Sequence, residues 1–204
     1  MATTETTTFI RRRDRQREET RRDLALAAFE LASERGLANV RVPEIAAAAG
    51  VSTRTFNNYF PSKEAAIAWP AARRAARWAE GLLARPAEEP LREALLAVTA
   101  DVHAPPGEGL PGDYLRRLGA LVAGEPGLRG EYLKASQAGE QALARAIAAR
   151  TGAGEDELAP KVIAAIVVGA DRAAVVHWMR QEGKQGPLRE TALVAVRLAL
   201  AGVE

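Results

Sequence analysis

The chain of 204 residues contains no cysteine, which excludes disulfide bonds, thiolate nucleophiles and cysteine-based metal sites. Histidine is nearly as scarce, since His103 and His177 are the two histidines and lie far apart in sequence. Neither falls in a metal-ligand or catalytic-triad pattern, and no G-x-S-x-G elbow or phosphate-binding P-loop is present. We therefore predict no catalytic residue, no metal and no cofactor, and assign no enzymatic activity.

Aromatic residues make up only 5% of the chain, and no stretch alternates β-branched and polar residues. Alanine, leucine, arginine and glutamate are abundant instead, so we predict an all-α protein without a sheet. The longest uncharged apolar run, residues 162–170, is too short to span a bilayer, and the N-terminus lacks the basic and apolar segments of a signal peptide. We expect a soluble, cytoplasmic protein with no membrane partner.

Residues 45–64 read IAAAAGVSTRTFNNYFPSKE and predict two short helices joined by a tight turn. Ile45 opens the apolar face of an alanine-rich helix, and Gly50 follows at the point where a helix end favours a residue of positive φ. Ser52 is then placed to cap a second helix over residues 53–60. The segment as a whole predicts a helix-turn-helix hairpin.

The second helix of this hairpin has one apolar and one polar face. Phe56 and Phe60 are four residues apart and predict the buried face. At about 100° per residue Arg54 and Asn58 then point outward, with Asn57 beside them. Arginine and asparagine hydrogen-bond guanine and adenine edges, and the helix contains no acidic residue, so we prefer a DNA-reading face to an ordinary solvated hairpin. The hydroxyls placed to reach phosphates belong to Thr53, Thr55 and Tyr59.

With these residues the segment resembles the N-terminal part of the TetR family of bacterial transcriptional repressors, from about residue 20 to residue 66. The family pattern is matched at Ile45, Ala46, Ala49, Gly50, Val51, Ser52, Thr55, Phe56, Tyr59, Phe60, Lys63 and Glu64. The resemblance implies a three-helix DNA-binding unit. It implies base contacts from Arg54, Asn57 and Thr53, and phosphate contacts from Thr55, Tyr59 and Lys63. The full predicted DNA-binding set is Ser52, Thr53, Arg54, Thr55, Asn57, Asn58, Tyr59 and Lys63.

The start of the first hairpin helix departs from the family pattern. Arg41 stands where the family often has a threonine four residues before the isoleucine. The cap of this helix is therefore not given by the sequence. Pro43 still suits the first turn, where a missing amide costs little and φ is already set.

An arginine-rich stretch lies near the N-terminus, and it comprises Arg11, Arg12, Arg13, Arg15, Arg17, Arg21 and Arg22. We interpret residues 1–17 as a flexible arm that touches phosphates or enters a minor groove, the alternative being a solvated helix start paired with nearby carboxylates. Residues 1–63 carry 11 Lys and Arg against 8 Asp and Glu, a net charge of +3, whereas the remainder carries 17 against 18, a net charge of −1. The positive end is the predicted DNA end. The buried face of the first helix is assigned to Leu24, Ala27, Ala28 and Leu31.

We predict three segments: the arm at residues 1–17, a DNA-binding domain at residues 18–63, and an effector-binding and dimerisation domain at residues 64–204. A long helix begins near Ser62 and runs past Pro70. Pro70 either kinks a continuous helix or separates two helices, and the sequence leaves both alternatives open. The segment APPGEGLPG, residues 104–112, predicts a flexible loop.

The last two predicted helices, about residues 157–182 and 187–200, are apolar nearly all round. A helix that is apolar on all sides needs partners on all sides, so we expect a homodimer formed through these two helices. The alternative is that both helices are interior to a monomer.

From Leu91 onward the chain resembles the ligand-binding half of TetR members described as acyl-CoA-like ligand binders. The residues assigned to the pocket of an unidentified small-molecule effector are polar or aromatic side chains among alanine and leucine: Trp78, His103, Tyr114, Arg117, Tyr132 and Gln137. The resemblance implies a one-component regulator, a repressor that binds a palindromic double-stranded DNA operator as a homodimer and is released by a ligand. The alternative is a helical protein-interaction or adaptor module without DNA binding.

Overall fold

A computed structural model describes residues 2–103, 113–154, 156–181 and 186–201. Over these ranges the chain is helical and contains no strand, which confirms the all-α prediction. The helices are α1 (Ala2–Arg35), α2 (Val42–Ala48), α3 (Thr53–Tyr59), α4 (Lys63–Ala84), α5 (Leu91–Val102), α6 (Tyr114–Gly124), α7 (Pro126–Thr151), α8 (Leu158–Arg180) and α9 (Leu188–Ala199). A short 3₁₀ turn, Leu37–Asn39, follows α1. The loop predicted at residues 104–112 lies outside the described residues.

Helix α1 is longer than the sequence predicts. It runs from Ala2 to Arg35, so the residues assigned to a flexible arm, 1–17, have helical backbone from residue 2 onward, and that prediction was wrong for their backbone. The physical reason is that no glycine or proline occurs before Gly36, while alanine, arginine, glutamate and glutamine favour a helix. Gly36 then ends the helix with φ of 78°.

Helix α4 is continuous through Pro70. Of the two alternatives, a single helix is therefore the correct one. An interior proline lacks an amide hydrogen and clashes with the carbonyl of the preceding turn, so it weakens the helix at this point.

The chain forms two compact units. The N-terminal unit comprises residues 1–70 and 120–131, and the helical unit comprises residues 71–119 and 132–204. The predicted boundary at residues 63 and 64 differs from this division, because the first two turns of α4 bury Ala66, Ile67 and Ala68 in the N-terminal unit.

The core of the N-terminal unit forms where α1, α2 and α3 pack together. Its largest fully buried side chains are Leu24, Phe29, Ile45, Phe56 and Ile67. On α1 the buried face differs from the prediction. Ala27 and Leu31 are only half-buried, and the buried positions are Leu24, Ala25, Ala28, Phe29 and Ala32. Phe29 turns this face inward because its large ring gains most from burial.

The core of the helical unit is formed by residues of α4, α5, α7, α8 and α9. Helix α9 packs on both α5 and α8. The core includes Trp78, Leu82, Leu95, Val98, Leu143, Ile147, Val167, Val196 and Leu200. Helix α7 lies very close to α4, since a Cβ added at Gly139 would come within 2.2 Å of the Ala75 Cβ.

Helices α8 and α9 are each buried on one side and carry large apolar residues among charged ones on the exposed side. Exposed large apolar residues on this pair are Leu158, Val162, Val176, Val194 and Leu198. Among the described helices α8 is the one long and apolar enough to cross a membrane by length and composition. Its middle, however, carries the buried Asp171, and its inner face packs on α9. This pattern fits a packed helix with one unpartnered apolar face better than a lipid-facing span.

Candidate DNA interface and buried cavity

The turn between α2 and α3 has the geometry that the sequence predicts. Gly50 adopts φ of 67°, a conformation that favours glycine. The amide of Val51 donates to the Ala46 carbonyl at 2.9 Å, which closes the end of α2. Ser52 Oγ then accepts the Thr55 amide at 3.1 Å and caps α3. The direction of α3 is therefore fixed by local hydrogen bonds at its first turn.

Aromatic rings pack along the buried side of helix α3. Phe56 is fully buried and Phe60 nearly so. Their ring centroids lie 5.9 Å apart, and Phe60 meets the edge of Trp69 at 6.4 Å. Burying two phenylalanines on one side leaves the opposite side of the helix to solvent.

The exposed side of α3 carries four of the predicted base-contacting or phosphate-contacting residues, namely Thr53, Arg54, Asn57 and Asn58. Within the described part of the chain, Arg54 forms no hydrogen bond or ion pair. Helix α3 contains no acidic side chain. The structure thus brings together a positively charged, hydrogen-bonding surface whose donors and acceptors are open to an external partner.

The side chains of Ser52 and Thr55 hydrogen-bond each other. Their hydroxyl oxygens lie 2.9 Å apart, in addition to the cap that Ser52 makes with the Thr55 amide. Thr55 is half-buried. In this arrangement both residues first hold the start of α3 in shape, and their predicted contact with DNA stays a prediction.

Tyr59, the last residue of α3, is half-buried beneath an arginine of α1. The Arg21 guanidinium carbon lies 5.8 Å from the centroid of the Tyr59 ring, within the range of a cation–π interaction. The Arg21 Nε is buried without a hydrogen-bond partner among the described residues. The sequence places Arg21 in the arginine-rich stretch but gives no sign that it packs on Tyr59.

Lys63 does not point freely outward as a phosphate contact requires. Its Nζ donates to the carbonyl oxygens of Leu37 at 2.6 Å and Val40 at 2.9 Å. These carbonyls belong to the turn between α1 and α2, and the Leu37 carbonyl also accepts the Val40 amide at 3.3 Å. The structure therefore gives Lys63 a role that the sequence did not predict, because an ammonium group makes strong, charge-assisted hydrogen bonds to carbonyl oxygens within its reach.

Arg41, the departure from the family pattern, is compensated by Glu44. The Glu44 Oε2 accepts the Arg41 amide at 2.8 Å, and Glu44 Oε1 pairs with Arg35 at 3.3 Å. Pro43 occupies the first turn of α2 as predicted. The start of α2 is thus stabilised without the threonine of the family pattern.

A second site, separate from α3, is a cavity of about 50 Å³ inside the helical unit. It is lined by residues of α4, α7 and α8: Ala71, Arg74, Ala75, Trp78, Tyr132, Ser136, Val168, Asp171 and Arg172. Four of these residues form one stripe along α4, beginning directly after Pro70. Apolar atoms and a few polar groups line the cavity together, as is typical of ligand sites.

The polar groups at this cavity form two linked pairs. Arg74 donates to the Tyr132 hydroxyl at 3.3 Å, and the His103 Nε2–H donates to Asp171 Oδ1. Burial tends to raise the pKa of Asp171, but the hydrogen bond from His103 and the attraction of Arg74 outweigh it, so the pKa lies below its ordinary value of 3.8. Desolvation opposes the charge of Arg74, yet Tyr132 and Asp171 raise its pKa. Both charges therefore persist inside the unit.

The structure separates the predicted pocket residues into two groups. Trp78 and Tyr132 line the cavity, and His103 reaches it through Asp171. Tyr114 is buried and burial raises its pKa, but it does not line the cavity. Arg117 lies 3.8 Å from Asp113, and Gln137 is exposed. Neither Arg117 nor Gln137 lines the cavity.

The three charged residues that line the cavity are not predicted from the sequence: Arg74, Asp171 and Arg172. A signal existed for Asp171, which interrupts the apolar run of α8. Arg74 had a weaker signal, because it lies four residues before Trp78 and so shares its helix face.

Two family models match the chain. Residues 25–67 match the model described as bacterial regulatory proteins, TetR family. Residues 85–202, more than half of the chain, match the model described as the MftR C-terminal domain. The first match covers the last third of α1, all of α2 and α3, and the start of α4. The second match covers most of the helical unit.

A curated relative agrees with these family models. The HTH-type transcriptional regulator TcmR of Streptomyces glaucescens is 35% identical over 129 residues, which cover 61% of this chain and 57% of that protein. The chain thus matches little more than half the length of this relative.

The structures show the same fold at low identity. SmeT, the repressor of the Stenotrophomonas maltophilia multidrug efflux pump SmeDEF, has a TM-score of 0.56 at 18% identity, with 89% of this chain and 88% of that chain covered. A TetR-family transcriptional regulator from Streptomyces coelicolor has a TM-score of 0.54 at 22% identity, with 90% and 80% covered. With a helix-turn-helix at α2 and α3 and both halves matched by family models, the chain belongs to the TetR family of bacterial transcriptional regulators, which are DNA-binding proteins and not enzymes.

Proposed function

We propose that this regulator is a repressor that binds a palindromic operator as a homodimer and is released by a small-molecule ligand. The observation that carries the proposal is the exposed face of α3, where Arg54, Asn57 and Asn58 stand open to solvent on a helix without acidic residues. A helix-turn-helix dimer places its two recognition helices in successive major grooves about 34 to 36 Å apart, which calls for an inverted repeat.

Base reading is assigned to Arg54 and Asn57, with Thr53 and Asn58 at the edge of the same face. Arginine suits the paired acceptors of guanine, and asparagine suits the donor and acceptor of adenine. Because Phe56 and Phe60 fix the opposite face, these side chains cannot turn inward without exposing the rings. Such a rigid presentation favours sequence discrimination over general attraction to DNA.

Phosphate anchoring is assigned to Tyr59, supported by Arg21, and to the exposed arginines at the start of α1. Arginines 12, 13, 15 and 17 lie on that helix with exposed side chains. Their charge adds to the long-range attraction of DNA. Lys63 acts in this proposal mainly by holding the turn before α2, and Ser52 and Thr55 by holding the start of α3, where they also lie near the DNA-facing surface.

Dimerisation is assigned to the exposed face of α8 and α9. Leu158 and Leu198 are 74% and 73% exposed, and Val194 is 55% exposed, which is costly for residues of this size in a soluble monomer. The occupant we assign is a second copy of the same face, as the symmetry of common dimers requires. Small residues on α8, Ala165, Gly169 and Ala173, allow the helices of two copies to approach closely.

Ligand release is assigned to the cavity of the helical unit. Its α4 stripe begins one residue after Pro70, where the helix is weakest, so a ligand that prefers a different course of α4 would favour a different spacing of the recognition helices. The loss in operator affinity then equals the ligand's difference in affinity for the two states. Action on DNA places the protein in the cytoplasm.

The proposal is tested by selecting binding sites from random duplex DNA with the pure protein and no ligand. We expect enrichment of an inverted repeat and a binding constant that falls steeply with salt, because phosphate contacts release counterions. Light scattering should give a dimer at the same concentration. A selection without an inverted repeat, or a monomer that binds DNA no better than an unrelated basic protein, would favour the adaptor alternative instead.

A further inference from the structure

The cavity of the helical unit holds more positive than negative charge. Arg74 and Arg172 line it, against the single carboxylate of Asp171. That carboxylate is engaged, because its Oδ1 accepts a hydrogen bond from His103, whose side chain is only 3% exposed. Tyr132 and Ser136 add hydroxyl groups, which are neutral. The unbalanced charge at the cavity is therefore positive.

Arg74 faces the cavity without a direct ion pair, although the charge of Asp171 attracts it at longer range. Within the part of the chain that the structure describes, its one hydrogen bond goes to the Tyr132 hydroxyl at 3.3 Å, and no carboxylate lies within ion-pair distance of it. A guanidinium has five N–H donors in a planar fork. Several donors of Arg74 therefore remain at the cavity wall, next to a hydroxyl that can also donate.

The rest of the wall determines what else the occupant must look like. The Trp78 ring, Val168 and the methyl groups of Ala71 and Ala75 add apolar surface to the same cavity wall. A volume of about 50 Å³ exceeds the roughly 10 to 15 Å³ that one water requires, but it is far below the roughly 300 to 1,000 Å³ of a pocket for a drug-sized molecule. Only a ligand of a few non-hydrogen atoms fits these limits, since a cavity of about 150 Å³ is needed for benzene.

We propose that the cavity binds a compact organic monocarboxylate, with its carboxylate on the Arg74 fork and the Tyr132 hydroxyl, and its apolar body against Trp78 and Val168. The inference rests on the proposed function, since it names the chemical class of the effector. Planar guanidinium and planar carboxylate form two parallel hydrogen bonds, an arrangement that a neutral amide or alcohol cannot reproduce.

A cationic ligand is the main competitor, because Trp78, Tyr132 and Asp171 together also resemble a cation-binding cage. Arg74 argues against it. A cation in the cavity would lie beside a guanidinium that no carboxylate neutralises at close range, and Asp171 already accepts from His103. Repulsion inside a poorly solvated cavity is stronger than in water.

The test is isothermal titration calorimetry on the full chain in the absence of DNA, with sodium acetate as the probe. Acetamide and propan-2-ol serve as neutral analogues of the same size, and trimethylammonium serves as the cation. We expect acetate to bind about tenfold or more tightly than either neutral analogue, because only acetate makes charge-assisted hydrogen bonds. Equal binding of acetate and acetamide, or binding of trimethylammonium in preference to acetate, overturns the proposal.

Substitutions of Arg74 test whether its guanidinium binds the carboxylate. Arg74→Gln should remove the preference for acetate over acetamide, and Arg74→Lys should retain part of it, since the charge stays but the fork is lost. Arg73→Gln is the matched control: Arg73 precedes Arg74 on α4, pairs with Glu80 at 2.9 Å and does not line the cavity. A preference that survives Arg74→Gln unchanged overturns the assignment. If that variant fails to fold, the comparison of probes on the unmodified chain still decides.

Operator binding is measured separately, so that two failures stay distinct. Binding of acetate without DNA decides the carboxylate site. Release of a selected operator by acetate decides whether the site is the effector site of the proposed function. Acetate that binds but leaves operator affinity unchanged upholds the site and overturns its regulatory role, whereas a protein that selects its operator but binds no carboxylate overturns the site alone.

Discussion

The N-terminal unit and the helical unit treat their polar side chains in opposite ways. In the first, Arg54 and Asn57 point outward from a short helix whose position is fixed by a cap and two buried rings. In the second, Arg74 and Asp171 lie inside a packed helical core and depend on Tyr132 and His103. Polar side chains that point outward can contact a large partner such as DNA. Polar side chains that point inward must hydrogen-bond each other, so a buried donor without a protein acceptor indicates a site for a small ligand.

The largest effect is expected from disrupting the exposed face of α8 and α9, which we propose as the dimer interface. Leu198→Glu should convert the dimer to a monomer and weaken operator binding by about a hundredfold or more, since two linked half-sites bind far more tightly than one. Sedimentation and gel shift measure the two effects. Leu133→Glu is the control, because Leu133 is also exposed, at 53%, but lies on α7. A Leu198→Glu protein that stays dimeric contradicts the interface.

The next largest effect is expected on the stability of the N-terminal unit. There Lys63, unlike Arg54, points toward the protein and not toward solvent. Lys63→Ala removes two charge-assisted hydrogen bonds to the Leu37 and Val40 carbonyls. We expect a loss of about 2 to 3 kcal/mol in the free energy of unfolding, measured by urea denaturation. If stability is unchanged and only DNA binding weakens, Lys63 is a phosphate contact after all.

A comparable but more variable effect is expected where α7 meets α4 in the helical unit. Gly139→Ala puts a methyl group against the Ala75 Cβ and backbone, and we expect it to cost about 1 to 3 kcal/mol through overpacking. Gly119→Ala is the matched control, because its new Cβ would meet the flexible Met179 side chain, which can move away. Thermal unfolding should separate the two. Equal melting temperatures of the two variants would mean that α4 shifts away from Gly139 at little cost in stability.

The smallest effect is a dependence of stability on acid pH. The pKa of Asp171 in the folded protein lies below its ordinary value of 3.8, so the stabilisation from its charge is present above that value and is lost as pH falls through the folded pKa. Asp171→Asn should therefore be less stable than the unmodified chain at pH 7, with a difference that shrinks below pH 3.8. Urea unfolding at neutral and acid pH gives the measurement. A constant difference would show that Asp171 contributes through shape rather than charge.

The sequence predicts the two regions unequally, and the reason is the range of the interactions. Gly50, Ser52 and Phe56 act within one or two turns, so the hairpin and the face of α3 can be predicted from local spacing. The role of Lys63 depends on carbonyls more than twenty residues earlier in the chain. No local pattern marks such a contact.

The cavity shows the same limit more strongly. Arg74, Tyr132 and Asp171 come from three helices that are distant in sequence, and only their packing brings them together. Trp78, Tyr132 and Gln137 are all predicted on the same ground, as polar or aromatic side chains among alanine and leucine, yet Gln137 lies exposed. Polarity identifies a pocket residue only when the helix face that carries it is known.

The proposed function depends on the reading of base edges by the exposed face of α3. The most direct measurement is site selection from random duplex DNA with the unmodified chain and with Arg54→Ala, whose stability should be unchanged because Arg54 is exposed and unpaired in the described structure. We predict a loss of about 1 to 3 kcal/mol in operator affinity and a relaxed preference at one base pair in each half-site. An Arg54→Ala protein that selects the same sequence with the same preference at every position would contradict the claim.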